Sequence, residues 1–111
     1  MIGSLRGEII EISTSWILLE VGGVGYRVQI PLSLLSLLKQ GQEQFVYIHE
    51  QLREDTHELY GFLSSQDLAL FTKLLSVSGV GPKVAMTLLS MGSADTVQRA
   101  VMSGDLESLT S

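Results

Sequence analysis

The apolar period of the chain changes once, at Ser64, and that change calls for a strand-rich first half and a helical second half. Upstream, apolar and polar residues alternate at the period of two that a half-buried strand requires. Downstream, apolar residues recur three and four apart, which is one face of a helix. Five strands are read upstream. Ile2 to Ile12 is the first, and Gly7 in its middle marks the sharp bend a small barrel needs. Trp16 to Val21 is the second, with Ile17, Leu19 and Val21 as its apolar face. Gly22-Gly23 supplies a tight hairpin turn. On the third strand Val24, Tyr26, Val28 and Ile30 are expected inward, with Arg27 and Gln29 outward. Pro31 suits the first turn of a helix, expected over Leu32 to Gln40 and stopped by Gly41. Gln44 to Leu52 and Thr56 to Leu63 are the last two strands, with Arg53-Glu54-Asp55 at the turn between them. Three strands, a helix and two strands is the order of a five-stranded closed barrel of the OB type.

In the helical half, Ser64 with Asp67 resembles a capping box. Leu68, Phe71, Leu74 and Leu75 are expected on one face of the helix that follows. Ser78-Gly79-Val80-Gly81 breaks it. Pro82 starts another, with Val84, Ala85, Leu88 and Leu89 inward. Gly92 is expected to end that helix. Ser93 would cap a third over roughly 94–102, closed by Gly104, and Asp105 a last turn with Leu106 and Leu109. The fold class is α+β, strands then helices: a barrel domain over 1–63 and a small helical domain over 64–111. The helical domain is expected to be incomplete, because its packing has only begun to close at Ser111.

Bulk composition narrows the function classes. Apolar residues make up 45% of the chain and charged ones 17%, too hydrophobic for a disordered segment and suggestive of apolar surface left for a partner. With no cysteine and only two histidines, His49 and His57, neither disulfides nor a zinc site are expected. No apolar run reaches membrane-spanning length and no signal peptide opens the chain, so the expectation is a cytoplasmic protein. The net charge is −5, with four basic against eight acidic side chains in residues 1–63. No basic stripe announces nucleic acid, so any such reading rests on local geometry.

That geometry centres on Gly79-Val80-Gly81-Pro82-Lys83, a helix-hairpin-helix pattern. Glycines permit a tight turn whose amides, with those of the next helix's first turn, point outward together and can hold a phosphate oxygen. Lys83 can add a charge, and Val80 can plug the groove between the helices. The competing reading is an ordinary helix–helix turn with a glycine cap and a proline starter. A dinucleotide fingerprint fails because a helix precedes the turn and Val84 takes the third glycine position. Glu54 and Asp55 are adjacent acids at a hairpin tip. They are a solvated turn unless several such tips meet, when their charge would repel phosphates. Trp16, Tyr26, Phe45, Tyr47, Tyr60 and Phe62 are read as core residues rather than a stacking platform, because interleaved basic residues are not evident. No nucleophile–base pair, catalytic triad, metal ligand set or cofactor site is found.

In order along the chain, Met1-Ile2-Gly3-x-Leu5-Arg6-Gly7, Val21-Gly22-Gly23-Val24-Gly25-Tyr26-x-Val28, Arg53-Glu54-Asp55 with Leu59-Tyr60-Gly61-Phe62, and Leu70-Phe71-x-x-Leu74-Leu75 with Gly79-Val80-Gly81-Pro82-Lys83 resemble the RuvA family of Holliday-junction proteins. The resemblance implies an OB barrel followed by a domain with two helix-hairpin-helix motifs. It also implies a flat homotetramer, or a stacked octamer, that holds an open four-way DNA junction. Such a subunit is not an enzyme. It serves recombination, DNA repair and the SOS response, with the hexameric RuvB ATPase as motor and the RuvC resolvase as a further partner. By position, Gly79, Val80, Gly81 and Lys83 match the first phosphate clamp, and Glu54 and Asp55 match an acidic pin. The second clamp and the small motor-binding domain would lie beyond Ser111. The alternative is an OB-fold single-stranded nucleic-acid-binding module.

Overall fold

β1 (Ser4–Ile12) serves two neighbours, and that sharing closes the sheet. Its first half pairs with β4 (Glu43–Leu52), from Ser4↔Tyr47 to Glu8↔Glu43. Its second half pairs with β2 (Trp16–Val21), from Glu8↔Glu20 to Ile12↔Ile17, across an irregularity between Ile9 and Glu11. The strand changes partners at Gly7-Glu8. A side chain at Gly7 would run into the carbonyl oxygen of Glu20, so only glycine allows the bend there. The computed structural model describes residues 1–91. Within them β3 (Val24–Gln29) pairs antiparallel with β2, and β5 (His57–Phe62) pairs antiparallel with β4. A short parallel contact of β3 with β5, Val28↔Leu59 and Gln29↔Tyr60, completes the barrel β1-β2-β3-β5-β4.

Alternation fills the barrel from inside. Ile9, Ile17, Leu19, Val28, Ile30, Val46, Ile48 and Leu59 form one buried cluster. From Leu59 onward β5 is buried on both faces. Its outward Tyr60 and Phe62 join Leu70, Phe71, Leu74, Ala85, Leu88 and Leu89 in a second cluster under the helices. α2 (Ser65–Leu75) is capped by Ser64, whose hydroxyl accepts from Asp67 N at 3.1 Å. Phe71 packs against Phe62 with ring centroids 4.9 Å apart, and α3 (Pro82–Met91) closes over them.

Several expectations are corrected. Val24 is 52% exposed, because it pairs with Val21 beside the hairpin turn, past the end of the barrel core. The helix expected over 32–40 shrinks to α1 (Leu32–Leu35), one turn. Turn-type bonds, Leu37 N to Leu34 O and Leu38 N to Leu35 O, follow it, and no side chain caps its start. So short an element does not recover its nucleation cost from propensity. Tertiary contact holds it instead: Leu32 N donates to Ser90 Oγ on α3 at 2.9 Å, and Leu38 enters the barrel core. On α2 it is Leu70, with Phe71 and Leu74, that is buried, while Leu68 and Leu75 are partly buried. Val84 is 39% exposed at the open end of α3. The elements expected at Gly92, Ser93 and 94–102, and at Gly104 and Asp105, lie outside the described residues.

Candidate nucleic-acid interface

α2 ends by tightening. Ser76 N donates to Lys73 O, Val77 N to Leu74 O and Val80 N to Val77 O, at 3.0–3.1 Å. Gly79 then takes φ +84°, a left-handed conformation costly to any residue with a side chain. Ala85 N donates back to Gly81 O at 3.0 Å, which starts α3 at Pro82. Among the described residues, this leaves the amides of Gly81, Lys83 and Val84 without a backbone acceptor. Gly79, Gly81 and Lys83 are exposed. Val80 points the other way, into the cluster around Phe71 and Leu88. The turn therefore offers unpaired donors and the positive end of a helix dipole to solvent. A side chain placed on Gly81 would meet no atom of the described residues within 4 Å. Packing among the described residues does not demand glycine there, whereas a close-approaching ligand would.

Glu54 and Asp55 occupy the centre of a tight turn closed by Arg53 N to Thr56 O at 2.8 Å. Both are exposed. The single contact of salt-bridge geometry among the described residues is His57 Nε2 to Glu50 at 2.6 Å, below that turn, so neither tip acid has a basic partner of its own. Glu50 also accepts from Ile2 N at 2.8 Å. That amide, and secondarily His57, hold the Glu50 carboxyl below the usual carboxylate range.

A cavity of about 630 Å³ lies between the barrel and α3. Lys83 and Thr87 on α3 face Ser15, Gln29, Glu58 and Tyr60 from the barrel. The start of α3 and the strand leading from the acidic turn thus border one cleft. Burial, and then the charge of Glu58, push the Tyr60 hydroxyl pKa up from its ordinary value. The sequence carries no local mark of Glu58, Tyr60, Ser15 and Gln29 as neighbours of Lys83, because the β3–β5 pairing is what brings them together.

The aromatic residues divide. Tyr60 and Phe62 are core, as expected. Trp16 and Phe45 are only partly buried, and each lies beneath a guanidinium: Arg27 is 4.3 Å from the Trp16 ring centre, and Arg6 is 5.4 Å from that of Phe45. Basic residues therefore do interleave with aromatic ones on the barrel's outer face, contrary to the sequence reading. Among the described residues no group of His, Cys, Asp and Glu could hold a metal ion, and no helix is long and apolar enough to cross a membrane.

The profile described as RuvA N terminal domain matches residues 1–61, and that of a SAM-like helix-hairpin-helix tandem matches 71–111. The chain is 44% identical over 110 residues to the Holliday junction branch migration complex subunit RuvA of Mycobacterium ulcerans, covering 99% of this chain and 56% of that protein. It is 44% identical to the subunit of the same name from Thioalkalivibrio sulfidiphilus and 46% to that from Shewanella sediminis, covering 98% of this chain in each case. The coverage of those two proteins is 55% and 54%, so the chain spans about half the length of the curated relatives it matches.

Proposed function

The chain belongs to the RuvA family, and from that premise we propose that it binds four-way DNA junctions as the non-catalytic subunit of a branch-migration complex. The observation that carries this is the turn at Gly79-Val80-Gly81. Its open amides, with Lys83 beside them, suit a phosphate oxygen in a minor-groove backbone and read no base. The chain is read as two units, a barrel over 1–63 and a helix-hairpin-helix domain over 64–111. Four copies, or eight in two stacked rings, would place the Glu54-Asp55 turns together at the crossover, where eight or more carboxylates repel phosphates and part the strands. Motion along DNA falls to a separate ATPase, the RuvB partner, and resolution to the RuvC partner. The setting is cytoplasmic recombination and repair.

A second reading, a single-strand binder, is favoured by the Arg27–Trp16 and Arg6–Phe45 stacks alone. One competition separates the two. A labelled four-way junction bound to the protein is challenged with unlabelled junction, linear duplex and single strand of matched sequence. The junction is expected to compete best. Displacement by single strands at lower concentration would reverse the order of the two readings.

A further inference from the structure

The hairpin bearing Glu54 and Asp55 stands clear of the barrel. The β1–β4 ladder ends at Ser4↔Tyr47, with one more bond from Ile48 N to Gly3 O at 2.9 Å. The β3–β5 ladder covers only Val28↔Leu59 and Gln29↔Tyr60. Between these limits, residues 51–58 have, among the described residues, no strand partner except each other. A two-stranded ribbon is marginal in water by itself. Apolar packing does not hold its far end, where Leu52 is 70% exposed.

What ties the ribbon down is the Glu50 side chain. One carboxylate oxygen accepts from Ile2 N at 2.8 Å, in the segment before β1, and the other meets His57 Nε2 at 2.6 Å on the opposite strand. The carboxylate thus links three pieces of chain: the amino-terminal segment, β4 and β5. It is largely shielded, at 14% side-chain exposure against 53% for His57. Charge-assisted bonds of this length are the stronger kind.

We propose that Glu50 is a positioning residue for the acidic turn: its carboxylate fastens the projecting hairpin to the segment before β1 and so fixes the direction in which Glu54 and Asp55 are presented. The proposal rests on the junction reading above. A free ribbon would sweep the two acids through a cone and dilute their charge at the crossover.

Hydrogen exchange on the full-length subunit without DNA tests the tie, and a fluorescent base analogue at the crossover of a bound junction tests its consequence. Glu50→Ala is expected to speed exchange at amides 52–57 severalfold while β2 stays protected. Glu50→Gln, whose side-chain oxygen still accepts from Ile2 N, is expected to restore most of that protection. Glu43→Gln, which removes an exposed acid from the same strand, is expected to change nothing. At the junction, Glu50→Ala is expected to lower strand opening toward the level of the double variant Glu54→Gln/Asp55→Asn, and Glu50→Gln to recover it. Unchanged exchange in Glu50→Ala overturns the proposal. So does unchanged opening in Glu50→Ala when the double variant lowers it. If the double variant itself leaves opening unchanged, the acidic-turn reading fails and takes the positioning role with it, whatever the exchange shows. Should Glu50→Ala loosen the barrel strands too, His57→Ala, which spares the Ile2 bond, must still speed exchange at 52–57, and its failure to do so counts equally against the tie.

Discussion

Gly79 and Gly81 stand two residues apart and lack side chains for different reasons. Gly79 needs its conformation, at φ +84°, and Gly79→Ala is expected to destabilise the fold by about 1–2 kcal/mol. Gly81 has an ordinary φ and, among the described residues, open space around it. Gly81→Leu is therefore expected to keep the melting temperature within about 3 °C, as exposed substitutions do. It should nonetheless weaken junction binding more than about tenfold, because amide–phosphate bonds worth some 1.5–3 kcal/mol each would be held out of reach. Calorimetry and a binding titration on the two variants check this contrast, and full affinity in Gly81→Leu would remove the clamp. Glu50 supplies a pH signature. Its folded-state carboxyl lies below the ordinary 4.5, chiefly through the Ile2 amide. Its contribution to stability is therefore complete above that value and disappears as pH falls through the depressed one. The gap in melting temperature between the native chain and Glu50→Gln should narrow in acid, and a gap independent of pH would contradict a carboxyl held below its ordinary range.

Elements differ in how far local residues settle them. β2, β3 and the start of α2 are legible because their information is local: alternation, a Gly-Gly turn, and Ser64 three residues before Asp67. Ser64→Ala should cost about 1 kcal/mol, since the N-cap hydroxyl satisfies the Asp67 amide, for which the described residues offer no other acceptor. A denaturant melt checks it, and a loss near zero would mean that packing of Phe71 and Leu74 alone defines the helix start. α1 misleads because leucine spacing over 32–40 suits a helix, whereas the barrel wants Leu38 in its core and leaves Leu32 and Leu37 in solvent. Val24 and Val84 mislead for a related reason. Periodicity says which face a residue occupies, but not whether the neighbouring element extends far enough to cover it.

For the molecule as a whole, a chain of net charge −5 can hold DNA only if its charges are sorted in space. The described helices carry Lys73 and Lys83 against Asp67, while Glu54 and Asp55 sit at the end of a hairpin outside the barrel. Junction affinity should fall steeply with salt, and Lys83→Gln should flatten the log–log slope by about 1 for each subunit engaged. A slope unmoved by that change would exclude Lys83 from the phosphate contact. The amino-acid order by itself determined the strand and helix periods, the turn at 79–81 and the acidic tip, because each is written in residues within a turn or two of one another. The tertiary structure alone decided that β3 meets β5, that Lys83 looks across a cleft at Glu58 and Tyr60, and that Ile2 donates to Glu50. Those encounters depend on barrel closure, in which partners are chosen by the geometry of the whole sheet rather than by any neighbour along the chain.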